Sequence, residues 1–260
     1  MQGISPLQYP GSKLKLINEL EKYIPNGTRN IISPFLGGGS FEIYLANKGY
    51  SVQAFDIIEP LINFWKYILN DSVRLYDEIM KYFPLSKEKY YEIREILRNH
   101  HSNTLENAAY FFALNRSSFG GGGLAAGMIK NHPSFTKSSI DFVKIFQCTN
   151  LKVNISDFEE SLYNIKNEFI YLDPPYMLEN GNTGGNYLYG NKGHAHRYFD
   201  HHKLYKILKN KSNWMMSYNN SEKIKKLYSE YKIIEININY SMKHTYEKKS
   251  KEIIIFSKEE

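Results

Sequence analysis

The sequence predicts an α/β protein built on a doubly wound, mostly parallel sheet that carries a helical insert. Three observations predict it. Short apolar runs alternate with stretches of helical periodicity at both ends of the chain. A glycine turn, Gly37-Gly38-Gly39, stands between one such run and the helical stretch after it. Between residues 60 and 148 the alternation stops, and helix-patterned sequence leads into a glycine-rich loop. With 260 residues, 42% of them apolar, the chain can bury one sizeable core.

The elements follow in order. Residues 14–24 have helical spacing and stop at Pro25-Asn26-Gly27. The run 30–35 reads as a buried strand, 40–49 as a helix closed by Gly49, and 50–56 as a second strand ending at Asp56. Residues 60–82 and 86–116 read as two long helices with a break near Pro84. Residues 117–136 form a loop or hairpin of small and polar residues, and 138–147 a further helix. Strand 151–155, helix 158–166 and strand 168–172 restore the α/β pattern. A second long loop covers 177–198. After it come helix 201–210, strand 213–218, helix 221–231 and a closing strand pair over 232–240 and 251–257.

The formal net charge of +6 permits a polyanionic partner without requiring one. The one cysteine, Cys148, excludes an intramolecular disulfide framework, and an intracellular setting is expected. No run of about 18 apolar residues exists, so no membrane span is expected. His194, His196, His201 and His202 read as loop and helix-start residues rather than as a metal site.

The chemistry concentrates in Asp173-Pro174-Pro175-Tyr176, directly after the strand 168–172. Ligands in open α/β sheets sit outside the carboxyl ends of strands. Prolines lack N–H groups, so the Pro174 carbonyl is free of a strand ladder and can point at a ligand. Asp173 adds a second acceptor, Pro175 stiffens the turn, and Tyr176 adds a flat face. Two adjacent acceptors suit the two N–H groups of an exocyclic amine such as that of adenine. Held so, the nitrogen turns its lone pair toward an electrophilic methyl, and catalysis is by positioning. A duplex base would have to be flipped out to reach such a site. The loop Pro34 to Ser40, with Phe35, Gly37, Gly39 and Ser40, lets backbone approach a ligand closely. It lacks a full G-x-G-x-x-G pattern, which disfavours a dinucleotide. Asp56, 19 residues after Gly37, can accept from ribose hydroxyls. Tyr9 and Lys13 flank a tight turn near the start. Arg116, Lys130, Lys192, His194 and Arg197 lie in or beside the two long loops and are candidates for phosphate contacts.

These motifs, in this order, resemble the Dam-like DNA adenine N6-methyltransferases of the alpha arrangement. The matching segments are Tyr9 to Lys13, Pro34 to Ser40, Asp56, 111–121, Ser156-Asp157-Phe158, Asp173 to Tyr176, Phe199-Asp200-His201 and the closing strand. The resemblance spans nearly the whole chain. It implies a Rossmann-like class I methyltransferase fold, with residues 1–59 and 149–260 as the catalytic domain and 60–148 as a target-recognition insert. It implies S-adenosyl-L-methionine as methyl donor, contacted by Tyr9, Lys13, Asp56, Asp157, Phe158 and Asp173. Asp173, Pro174 and Tyr176 would hold the target adenine. Asn115, Arg116, Ser118 and Phe119 would face double-stranded DNA. A monomer or dimer, with or without a cognate restriction endonuclease, is compatible with it. Loop 117–130 departs from the family's GATC-reading hairpin and carries only Lys130 as a base, so no GATC preference is implied. RNA or protein-amide methylation, cytosine N4 methylation and non-catalytic binding are the competing readings. Asp at the head of the motif, rather than Asn, and the placement of the insert favour DNA adenine.

Overall fold

The computed structural model describes residues 5–99, 102–129, 131, 134–163, 165–177, 199–238 and 250–258. Seven strands form one sheet: β1 (Asn30–Ser33), β2 (Ser51–Asp56), β3 (Leu151–Ile155), β4 (Phe169–Leu172), β5 (Trp214–Asn219), β6 (Lys232–Ile238) and β7 (Ser250–Phe256). Their order across the sheet is β3-β2-β1-β4-β5-β7-β6. Every pairing from β3 to β5 is parallel, and β7 runs antiparallel to both β5 and β6. The expected doubly wound, mostly parallel sheet is present.

Successive residues of β4 pack into alternate cores. Phe169 and Tyr171 of β4 pack into the larger core, whereas Ile170 and Leu172 pack into a second one. Both faces of the strand are covered, which is why its sequence is apolar throughout. Helix α8 (Phe158–Tyr163), α9 (His201–Leu208) and α10 (Glu222–Leu227) supply Leu162, Leu204, Leu208 and Ile224 to the second core.

The other face is covered by α1 (Ile17–Glu21), α2 (Ser40–Asn47) and the insert. The insert comprises α3 (Glu59–Asn70), α4 (Ser72–Met80), α5 (Lys87–Asn99), α6 (Leu105–Ser117) and α7 (Lys137–Ile145). Helix α6 is buried almost all round, and Phe112 stacks on Phe64 of α3 at 5.7 Å. The two long helices expected at 60–82 and 86–116 are each two helices. Asp71 breaks the first, with φ −152°, and its carboxylate accepts from Arg74 N to cap α4. Thr104 caps α6 in the same way by accepting from Asn107 N. Short polar side chains that bond local backbone compete with helix continuation, and periodicity alone misses them. Helix α1 is likewise shorter than the 14–24 expected.

The chain leaves β1 toward β2 and later returns to β4 on the other side of β1. That reversal opens a crevice outside the carboxyl ends of β1 and β4. Among the described residues no helix is long and apolar enough to cross a membrane.

Candidate active site at the sheet reversal

The loop after β1 and the Asp-Pro-Pro-Tyr segment after β4 meet at this crevice, around a cavity of about 460 Å³. The glycines of the loop are there for close approach. Gly37 and Gly39 have φ of +48° and +65°, which side-chain-bearing residues rarely adopt. A Cβ on Gly38 would lie 2.5 Å from the Tyr9 Cβ. Tyr9 packs on one side of the loop, and on the other Trp65 Nε1 donates to the Gly37 carbonyl at 3.1 Å. Ser40 begins α2 and shares a 2.9 Å hydrogen bond with Ser12.

Asp56 ends β2 at the edge of the cavity. Its Oδ2 accepts from Gly37 N and its Oδ1 from Ile58 N, each at 3.0 Å. Burial raises its pKa, and those backbone N–H groups oppose the rise. The side chain therefore shapes the glycine loop, and with Ile57 N–H also bearing on it the carboxylate keeps about one lone pair for a ligand.

Lys13 is 4% exposed and its Nζ lies 2.8 Å from Asp173 Oδ2. It also donates to the Gly11 carbonyl and sits 5.1 Å from the centre of the Tyr176 ring. Burial works against its charge, but Asp173, Glu252 and Tyr171 together outweigh burial and raise its pKa. Asp173 has the reciprocal balance: burial raises its pKa, while Lys13 and Ser217 pull it down. Because a carboxylate only accepts, Ser217 donates to Asp173 Oδ1 at 3.1 Å, and Tyr171 then donates to Ser217 at 3.0 Å.

Two further carboxyls surround this pair. Glu42 of α2 lines the cavity at 3% exposure and accepts from Ser33 Oγ at 2.7 Å. Burial pushes its pKa up to about 7 despite that hydrogen bond. Glu252 of β7 is 8% exposed, and burial likewise raises its pKa against the pull of Lys13. The outer wall is aromatic. Phe35, Phe158 and Phe199 have ring centres 5.3 to 5.9 Å apart, and Asp157 sits beside them as the acceptor for Glu160 N.

The structure thus gathers Tyr9, Lys13, Phe35, Gly37, Gly39, Ser40, Asp56, Asp157, Phe158 and Asp173 to Tyr176 around one cavity. The residues expected near DNA divide. Phe119 is 72% exposed. Arg116 is partly buried and its Nε donates to the Ser134 carbonyl. Asn115 and Ser118 do not reach the surface, at 1% and 2% exposure. Asn115 accepts from Gln8 N and donates to the carbonyls of Gln8 and Gly121. Ser118 donates to the Asn115 carbonyl and accepts from Gly123 N. Lys130, Lys192, His194 and Arg197 lie outside the described residues.

Sequence reasoning missed Glu42, Glu252, Ser217 and Tyr218. The two glutamates had a signal, each a lone acid beside a run of apolar residues in a buried element. Ser217 and Tyr218 had none, since a strand pattern does not say which residue faces a motif 44 positions upstream.

The sequence profile of a family described as D12 class N6 adenine-specific DNA methyltransferase matches residues 9–242. The type II methyltransferase M.CviBI of Paramecium bursaria Chlorella virus NC1A is 23% identical over 65% of this chain and 68% of its own length. The retron Ec67 DNA adenine methylase of Escherichia coli is 28% identical over 65% of this chain and 62% of its length. The type II methyltransferase M.FokI of Planomicrobium okeanokoites is 24% identical over 73% of this chain, which spans about a third of that protein (31%).

Proposed function

This chain belongs to the D12 class N6 adenine-specific DNA methyltransferase family, and from that premise we propose that it transfers the methyl of S-adenosyl-L-methionine to the N6 amine of an adenine turned out of double-stranded DNA. The observation that carries this reading is the meeting of Asp173 and its following prolines with the glycine loop at one cavity. In this reading residues 1–59 and 149–260 are the catalytic part and 60–148 the recognition insert.

The donor set fits the methyl donor. Its size suits a cavity of about 460 Å³, within the range of small-molecule sites. Asp56 would take the ribose hydroxyls, and the Phe35 and Phe158 rings would flank the adenine. The buried cation Lys13 and the carboxyls Asp173 and Glu42 suit the zwitterionic amino-acid end. When bound, the cofactor supplies an electrophilic methyl on a sulfonium.

The protein's own task is to aim the amine. The Asp173 carboxylate and the Pro174 carbonyl accept the two N6 hydrogens, which localises the nitrogen lone pair away from the ring. Tyr176 offers its face to the extruded base. The positive charge that develops on N6 during transfer falls beside Asp173, whose burial strengthens that attraction. Asp173 is then placed to take up the proton that N6 releases. Phe119, exposed on the recognition loop, has the character of a side chain that fills the gap a flipped base leaves. Two relatives carry type II names, which supports a place beside a restriction endonuclease of the same target sequence.

The test is transfer of labelled methyl from S-adenosyl-L-methionine to mixed-sequence duplex DNA, followed by nucleoside separation. Label in N6-methyladenine, abolished by Asp173→Ala without loss of the folded circular-dichroism spectrum, is expected. Label in another nucleoside, or full turnover by Asp173→Ala, would overturn the reading.

A further inference from the structure

A hydrogen-bond chain runs behind the Asp-Pro-Pro-Tyr segment. Tyr218 of β5 is fully buried, and its hydroxyl lies 3.0 Å from the Pro175 carbonyl and 2.6 Å from Nδ1 of His201, the first residue of α9. Its ring stacks on Tyr176 with centres 5.2 Å apart and planes 27° apart. The imidazole meets Phe199 edge-on at 4.9 Å, and Phe199 belongs to the aromatic wall of the cavity.

The proton count fixes the direction of this chain. Burial raises the Tyr218 pKa well above its ordinary value, so the phenol keeps its one proton. A carbonyl can only accept, so that proton goes to Pro175 O. The 2.6 Å contact is then a hydrogen bond only if His201 Nδ1 carries hydrogen and donates to the phenol oxygen. The Met177 amide bears on the same oxygen, which has two lone pairs to offer. The chain reads His201 Nδ1–H to Tyr218 O–H to Pro175 O, and it ends on the peptide that joins Pro175 to Tyr176.

We infer that His201 and Tyr218 are positioning residues for the target base: their chain sets the Pro175–Tyr176 peptide, and with it the pitch of the Tyr176 ring and the aim of the neighbouring Pro174 carbonyl. Neither residue lines the cavity, so neither touches the base or the cofactor directly. The inference rests on the reading that this segment holds an adenine. It separates the two halves of the site: the chain serves the base, whereas the cofactor is held by the glycine loop, Asp56 and Lys13.

The test uses the full chain with Tyr218→Phe, His201→Ala, His201→Asn and the double variant Tyr218→Phe/His201→Ala. Each is assayed for kcat and KM on mixed-sequence duplex DNA and for binding of labelled S-adenosyl-L-methionine by equilibrium dialysis. Tyr218→Phe keeps the stacked ring and removes only the hydroxyl. Losing one such bond should lower kcat about tenfold. Cofactor affinity should stay within about twofold of wild type. His201→Asn, which can place an N–H near the Nδ1 position, should recover most of the rate that His201→Ala loses. The double variant should be no slower than the slower single one, because the chain is already broken. Equal rates for His201→Asn and His201→Ala, multiplicative losses in the double variant, or a matching loss of cofactor affinity would overturn the inference. Wild-type protein that labels no adenine would overturn the functional reading itself, and this inference with it.

Discussion

The Lys13 ammonium lies 2.8 Å from Oδ2 of Asp173, so the carboxylate that heads the motif is paired before any substrate arrives. Burial raises the pKa of this half-buried acid, and the pairing with Lys13 opposes that rise and favours the ionised form. In the proposed reaction only the ionised form sets a full negative charge against the positive charge that develops on N6. Removing the cation with Lys13→Gln lets the Asp173 pKa rise further. The variant is expected to lose roughly 10²-fold in kcat at pH 7. Its rate should then climb with pH as Asp173 ionises, at a higher pH than in wild type. A pH–rate profile of Lys13→Gln parallel to that of wild type would show that Lys13 does not set this ionisation.

Asn115 joins two segments 107 residues apart. Its amide satisfies the backbone of Gln8 on one side and Gly121 on the other. Gln8 precedes Tyr9, which packs on the glycine loop, so the seam runs from the end of α6 to the cavity. Asn115→Ala removes the partner of the buried Gly121 carbonyl and of the part-buried N–H and carbonyl of Gln8. The expected cost is about 3 kcal/mol of unfolding free energy by urea titration. Gly121→Ala attacks the same seam from the turn after α6, because its Cβ would fall 1.8 Å from the Gln8 carbonyl and its φ is +73°. An Asn115 that served only DNA would leave the unfolding midpoint unmoved.

The same residue shows where sequence reading stops. Segment 111–121 is legible as special, but Asn115 turns inward while Phe119, four positions on, turns out at 72% exposure. Which way a residue at a helix end faces depends on the loop that folds back over it, and here Gly121 returns to the Gln8 backbone. The strands, the glycine loop and the Asp-Pro-Pro-Tyr turn were legible because each follows from a local rule of periodicity or backbone freedom. The sheet order, the Ser217 and Tyr171 partners of Asp173, and the approach of Glu42 and Glu252 are long-range facts that no local rule encodes. The helix breaks at Asp71 and Thr104 stand between these cases, since capping residues are visible in sequence but compete with an unbroken period.

Phe119 is a large apolar side chain that the segment after α6 leaves in water. Truncating it costs no buried contact, so Phe119→Ala should melt within about 1 °C of wild type, as surface substitutions do. If the ring fills the gap left by a flipped base, the variant should lose about tenfold in kcat/KM on duplex DNA. The loss should shrink on DNA with a mismatch at the target adenine, where extrusion is easier. Cofactor binding should not change. An equal loss on matched and mismatched DNA would rule out that role.

Glu42 makes a prediction about stability rather than turnover. Its pKa rises from the ordinary 4.5 to about 7 in the folded protein, chiefly through burial. Between those values the folded chain holds a proton at Glu42 that the unfolded chain has released. Unfolding free energy therefore falls as pH rises through this window, and Glu42 is stability-neutral below it. The full penalty, reached above pH 7, is on the order of 3 kcal/mol. Glu42→Gln keeps an acceptor for Ser33 and cannot ionise. It should match wild type near pH 4.5 and exceed it in stability at pH 8, with the difference opening between the two. Denaturant titrations of both proteins across that range read the difference directly. A constant offset between the two curves would mean that Glu42 stays ionised in the folded state, held so by Lys13.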